Sequence, residues 1–191
     1  MKTAGVILAA GESRRMGREK ALLAWQGGTL LGAAIGALRP ICDAVIVVAG
    51  QNLEALRATA EAGGAVVAHN PEPERGQFSS LQIGLRAAAE RGCEAAVIAP
   101  VDCPALSEAS LRRLCDARTD WAVLPVHAGR RGHPLLAGAE LVAALLAEPV
   151  TGNAREVLRR SPERIVEVEV AEGLEDLDTP AAYQRALSGG S

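Results

Sequence analysis

TAGVILAAG, residues 3–11, is an apolar run that ends on a glycine. A strand covered on both faces reads as a continuous run of this kind rather than as an alternation. Residues 3–9 therefore predict a buried strand of a parallel sheet, with the chain turning at Gly11. The pattern returns as AVIVVA at 44–49 and AAVIA at 95–99, with a shorter strand at 65–68. Helical segments separate these runs, at 29–38 before Pro40, at 53–62 and at 79–91. The loop 70–77 feeds the last of them, with Ser79 or Ser80 as its cap.

Further along, Ser107 has the place of an N-cap for a helix over 110–117, and 121–126 forms another strand. Residues 129–132 read as a turn, 135–136 as a short segment, and 139–147 as a helix ended by Pro149. A helix at 153–160, an alternating strand at 164–170 and a closing helix at 179–187 complete the chain. Strands that alternate with helices imply crossovers onto a mostly parallel sheet covered on both faces. The expected fold class is α/β: one domain over 1–187 with a doubly wound, Rossmann-like sheet, then a frayed tail at 188–191. Ligands of such sheets bind beyond the carboxyl ends of the strands, here at the loops after Ala9, Ala99 and Val126.

Composition excludes several classes of function. The 191 residues are nearly half hydrophobic and carry a net charge of −3, the opposite of the basic surplus of a general nucleic-acid binder. One tyrosine, one phenylalanine and two tryptophans leave little with which to stack bases along a strand. The apolar runs are far shorter than the roughly 20 residues a bilayer crossing needs, and the N-terminus lacks the pattern of a signal peptide. No membrane association and a cytoplasmic location are expected. Cys42, Cys93, Cys103 and Cys115 form no C-x-x-C pair, which points to reduced thiols in or near the core.

Against that acidic background, Arg14, Arg15, Arg18 and Lys20 crowd one short loop directly after the first strand. A solvated turn, with Glu12 and Glu19 pairing two of the cations, is the plain alternative. The position favours an anion site, because Gly11 lets the backbone turn tightly and approach a ligand with its amides free. Two familiar phosphate motifs fail. A Walker A loop beginning at Gly11 needs glycine where Met16 stands, and the dinucleotide fingerprint needs one at Ser13. What fits is L-A-A-G-x-S-x-R-M-G-x-x-K, matched by Leu8, Ala9, Ala10, Gly11, Ser13, Arg15, Met16, Gly17 and Lys20. This resembles the signature loop of nucleotidyltransferases with a glycosyltransferase-A-like, nucleotide-diphospho-sugar transferase fold, most closely the branch of the molybdenum cofactor cytidylyltransferases. The resemblance implies that the loop wraps the triphosphate and that Arg15 and Lys20 neutralise it. A loop of this charge gains force only when closed over substrate, so it is expected to be mobile without nucleotide.

Asp102, in PVDCP at 100–104, projects from a strand end. A turn aspartate between prolines is the bland reading; beside a phosphate loop, a carboxylate suits Mg2+, which prefers oxygen ligands bridged to substrate phosphates. The resemblance makes Asp102 the metal-binding aspartate. Near the end, Glu175-Asp176-Leu177-Asp178-Thr179-Pro180 holds a helix cap and also resembles the family's D-x-D-T-P, whose carboxylate completes the metal site. Spacing does not choose between Asp176 and Asp178; the reading leans to Asp176. Asn70-Pro71 and Gly76-x-x-Ser79-Ser80-Leu81 resemble the nucleoside-side loop, and Ala9-Ala10-Gly11 leans to CTP where guanylyltransferases of the same cofactor carry Ala-Gly-Gly. Gly132-His133-Pro134 and Ala154-Arg155 suggest an acceptor side with His133 and Arg155, although 151–153 depart from the family pattern.

Together these imply an Mg2+-dependent nucleotidyltransferase. Lys20, Arg15 and Asp102 act on an NTP, CTP favoured, and a phosphorylated acceptor resembling molybdopterin takes the nucleoside monophosphate as pyrophosphate leaves. A GTP-using or sugar-phosphate enzyme of the same chemistry is the near alternative. A non-catalytic nucleotide-binding accessory of a molybdenum enzyme is the distant one, and a molybdoenzyme partner is compatible with either.

Overall fold

The Thr3–Leu8 run forms β1, the strand around which the sheet is built: Val6 sits in register with Ile46 on one side and Ile98 on the other, both parallel. The computed structural model describes residues 1–11, 19–103, 106–174, 177 and 179–188. A 3-10 turn at Lys20–Leu22 leads to a small hairpin of β2 (Ala24–Trp25) and β3 (Gly28–Thr29). Then follow α1 (Leu30–Leu38), β4 (Ala44–Ala49), α2 (Leu53–Ala62), β5 (Val66–His69), α3 (Gln77–Ala89), β6 (Ala95–Pro100) and α4 (Glu108–Asp116). The remainder is β7 (Ala122–His127), β8 (Arg130–Arg131), β9 (Leu135–Ala137), α5 (Ala139–Ala147), α6 (Ala154–Arg159), β10 (Ile165–Glu169) and α7 (Pro180–Ser188).

The main sheet has the order β10-β7-β9-β6-β1-β4-β5, with β8 paired to β7. It is parallel through β6, β1, β4 and β5 and again between β7 and β10, but β9 runs antiparallel between β6 and β7. The 135–136 segment is thus a central strand, and the 129–132 turn carries β8. Sequence period could not announce a three-residue strand reached by a hairpin turn.

Alternate residues of each strand feed two cores, one on each face, as a doubly covered sheet requires. Val6, Ile46, Val48 and Ile98 meet α3, α5 and α6 through Leu81, Leu85, Leu141, Leu145 and Val157. Ile7, Val45, Val47 and Val97 meet α1, α2 and α4 through Leu31, Ile35, Leu56, Leu111 and Leu114. Full burial of each of these side chains contributes about 1.5–3 kcal/mol. Helix α3 lies so close to the sheet that a Cβ at Gly84 would stand 2.4 Å from Val6 Cγ1 and 2.9 Å from Val48 Cγ2. A third cluster, Trp25, Leu30, Leu177 and Tyr183, fastens α7 to the hairpin; Trp25 and Tyr183 have ring centroids 6.3 Å apart, and the Tyr183 hydroxyl donates to the Ala24 carbonyl.

Two helix starts test the capping expectations. Ser107 is an N-cap, its Oγ accepting from Ser110 N at 3.2 Å. Helix α3, by contrast, begins at Gln77 with Gly76 as its N-cap, so neither Ser79 nor Ser80 caps it. Gly76 sits at φ 99°, a left-handed conformation that strains any residue with a Cβ, and this turn starts the helix two residues early. The four cysteines are free thiols. Burial foremost, with smaller pushes from Cys115 and Asp43, raises the Cys42 thiol to about 12. Among the described residues no helix is long and apolar enough to cross a membrane. Ser188 is the last residue of α7, and the rest of the expected tail, 189–191, lies outside the described residues.

Candidate active site

The parallel strands β1, β4 and β6 end together, and their ends are laced to one another. Ala9 N donates to Val48 O at 2.9 Å, and Val101 N donates to Leu8 O at 3.1 Å. Asn52 then secures the start of the first loop: its Nδ2 donates to Ala9 O at 2.9 Å while its Oδ1 accepts from Gly50 N at 3.0 Å. Gly50 passes so near that a Cβ there would lie 2.9 Å from Ala10 O and 3.1 Å from Pro73. Gly11 is exposed, and among the described residues nothing lies within 4 Å of where its Cβ would stand. Asn52 and Gly50 escaped the sequence reading because N and G in a strand-to-helix turn look like any other turn. Ser13 and Arg15, and the expectation of loop mobility, fall on residues 12–18 and lie outside the described residues.

Lys20, where the loop rejoins the described chain, returns directly to the end of β6. Its Nζ donates to Asp102 Oδ2 at 2.9 Å, with only 12% of the lysine side chain and 23% of the aspartate exposed. The two sequence motifs, 82 residues apart, therefore meet as an ion pair at the carboxyl edge of the sheet. In this partly desolvated place two unit charges about 4 Å apart attract by about 4 kcal/mol, against about 1 kcal/mol in bulk water. A third segment arrives at the same point: Leu177 N donates to Asp102 O at 2.9 Å, and its buried side chain joins the Trp25 cluster. Asp176 and Asp178 flank Leu177 in sequence and lie outside the described residues.

Asp102 fits a hard divalent cation, being a strand-end carboxylate with oxygen donors and part of its surface open. No group of three or more His, Cys, Asp or Glu able to hold a metal exists among the described residues.

Of the residues expected on the nucleoside side, Asn70, Ser79 and Ser80 are all buried. Asn70 Nδ2 donates to Ser79 Oγ at 3.0 Å and to Ser80 Oγ at 2.9 Å, and its Oδ1 accepts from Glu72 N at 3.0 Å. Ser79 Oγ donates in turn to Gly76 O at 2.8 Å. This network shapes the 70–80 loop and the start of α3, with each bond made inside that segment. Gln82, one turn later and buried, donates to Leu145 O and Glu148 O at 2.9 and 2.8 Å, fixing the end of α5 beside the same helix.

The acceptor candidates are not brought together. His133, half-buried, lines an apolar cleft with Cys103, Pro134, Ala34, Leu38 and Leu106 on the α1–α4 face. Arg155 is exposed on the first turn of α6, on the opposite face, its N–H donating to the Asn153 cap at 2.8 Å. A residue beyond the sequence motifs stands between the site and α4. The Glu172 carboxylate accepts from Ser107 N at 2.9 Å and from Ser110 Oγ at 2.8 Å. Its burial acts to raise its pKa, but these hydrogen bonds outweigh that and lower it to about 2.

The model of the MobA-like NTP transferase domain matches residues 5–165. The chain is 32% identical to the molybdenum cofactor cytidylyltransferase of Escherichia coli K12 over 92% of its own length and 90% of that protein. It is 40% identical to the probable molybdenum cofactor guanylyltransferase of Mycobacterium avium, over 56% of this chain and 53% of that one. Among solved structures, Rv0371c from Mycobacterium tuberculosis H37Rv superposes with a TM-score of 0.85 at 28% identity, covering 98% of this chain and 97% of the other. The same protein in complex with manganese gives a TM-score of 0.79 at 26% identity, covering 98% and 99%. A strand-end lysine–aspartate pair on this sheet and a family match over most of its length lead to one conclusion: the chain belongs to the MobA-like NTP transferase domain family.

Proposed function

We propose that this protein transfers cytidine monophosphate from CTP to the phosphate of a molybdopterin-type acceptor and releases pyrophosphate, using Mg2+. The observation that carries the reading is the Lys20–Asp102 contact of 2.9 Å at the joint ends of β1 and β6. It brings a triphosphate-seeking cation and a hard carboxylate to one point with no nucleophilic side chain needed. CTP is favoured over GTP by Ala9-Ala10-Gly11 and by the cytidylyltransferase match, which extends over nearly the whole chain where the guanylyltransferase match covers about half. The higher identity of that shorter match makes GTP the second reading.

Catalysis in this scheme is positioning and charge neutralisation. Lys20 leaves Asp102 for a phosphate oxygen of the nucleotide, and Arg15 adds a second cation to the same chain of phosphates. Asp102, with Asp176 or Asp178, holds the cation, which when bound neutralises charge on the triphosphate and on the departing pyrophosphate. Asn52 holds the Ala9 carbonyl and so fixes where the phosphate-binding loop begins. The Asn70–Ser79–Ser80 network presents the start of α3 to the nucleoside, and His133 or Arg155 contacts the acceptor.

The test is pyrophosphate release with each of the four triphosphates in Mg2+, with and without molybdopterin. Release that needs both CTP and molybdopterin is expected. A preference for GTP overturns the choice of base, and no release with any triphosphate overturns the enzyme.

A further inference from the structure

We propose that Glu172 is a positioning residue for Asp102, holding the link from β6 to α4 from its far end so that the Asp102 carboxylate keeps its metal-binding pose. The inference rests on the proposed role of Asp102. The link begins at Asp102 and ends at Ser107, and each end meets a residue from further along the chain: Leu177 N donates to Asp102 O at 2.9 Å, and Glu172 accepts from Ser107 N and Ser110 Oγ at 2.9 and 2.8 Å. The segment carrying Glu172 is itself anchored. Val170 N donates to Val126 O at 2.9 Å, the His127 ring Nδ1 lies 3.0 Å from Val170 O, and Leu174 lies against Gly132, where a Cβ would stand 2.6 Å from its own. Further along, α7 returns to the hairpin beyond Lys20 through Tyr183 and Trp25. Asp102 and the hairpin that follows Lys20 are thereby both tied to residues beyond the matched family domain, residues 5–165.

The carboxylate is not needed simply to start the helix. Ser107 Oγ already caps α4 by accepting from Ser110 N at 3.2 Å. Glu172 adds a cross-link between its own segment and the link. Contacts that orient a ligating side chain from behind govern how well it meets its metal.

The experiment compares wild type, Glu172→Ala and Glu172→Gln, well below their unfolding temperatures. The probe is Mn2+ alone, with binding read from the electron paramagnetic resonance signal of the free ion, followed by kcat and KM for CTP. Alanine should weaken Mn2+ binding and lower kcat by about tenfold each while KM for CTP moves by less than about twofold. Glutamine keeps an acceptor for Ser107 N and a donor for Ser110 Oγ, so it should restore most of the Mn2+ affinity. Alanine that lowers only the melting temperature, with Mn2+ affinity intact, overturns the proposal, as does glutamine that restores nothing. Wild-type protein that binds Mn2+ but releases no pyrophosphate counts against the proposed function, while the Mn2+ comparison still decides the role of Glu172. Wild-type protein that binds no Mn2+ overturns both.

Discussion

Asp102→Asn separates the structural from the chemical worth of the pair at the end of β6. The Lys20 Nζ to Asp102 Oδ2 distance is 2.9 Å and the two side chains are 12% and 23% exposed. An effective dielectric near 20 gives the charges an attraction of about 4 kcal/mol, but much of that offsets the desolvation both groups suffer on folding. Asparagine keeps an oxygen in place to accept from the ammonium, so the net loss of stability should be about 1–2 kcal/mol. Turnover has no such refuge. The variant loses the anion expected to hold the divalent ion, and kcat/KM should fall by about a thousandfold or more, equivalent to about 4 kcal/mol of transition-state stabilisation. Denaturant unfolding gives the first number and steady-state pyrophosphate release the second. Lys20→Met combined with Asp102→Asn should cost much less than the sum of the two, because the residues act on one ligand. Turnover of Asp102→Asn within about tenfold of wild type refutes the reasoning.

The remaining expectations follow from packing and titration. Glu172, lowered to about 2 in the fold against its ordinary value of 4.5, contributes stability that is fully present above about 4.5 and lost as pH falls through about 2. At about 1.36 kcal/mol per pKa unit, discounted for partial exposure, this is about 1–2 kcal/mol. The gap in unfolding free energy between wild type and Glu172→Gln should hold at neutral pH and fade toward pH 2; a gap equal at both ends contradicts the assignment. Gly84→Ala places a methyl 2.4 Å from Val6 Cγ1 and should cost about 1–3 kcal/mol, read as a lower urea midpoint; an unchanged midpoint means α3 does not approach the sheet as described. Cys42, half-buried and with its thiol raised to about 12, should react with iodoacetamide at pH 8 more slowly in the native protein than after unfolding; equal rates would contradict the raised thiol.

The parts of this fold legible in the sequence are those whose signals are local. Buried parallel strands cannot alternate, so TAGVIL, AVIVVA and AAVIA revealed β1, β4 and β6 almost to the residue. Ser107 and the proline-bounded helices were legible for the same reason. Strand β9 was reduced to a short segment, because three residues carry no period and its antiparallel pairing with β6 and β7 is a property of the whole sheet. The Ala24–Thr29 hairpin, whose strands are two residues each, left no trace either. At the site, Lys20 and Asp102 were legible as motifs, and the fold supplied the fact that they touch. Asn52, Gln82 and Glu172 act over sequence separations of 43 to 66 residues, and in sequence they are ordinary polar residues of a turn, a helix and a loop. The Asn70 network shows the converse: residues picked for binding are also the ones that shape the loop.

The central claim is that Lys20 and Asp102 together form the nucleotide site. A crystal structure with CTP and Mn2+ tests it most directly. The account predicts that Lys20 Nζ leaves its 2.9 Å contact for a phosphate oxygen and that the Asp102 carboxylate meets the cation. Nucleotide bound elsewhere, with the Lys20–Asp102 pair intact beneath it, would contradict it.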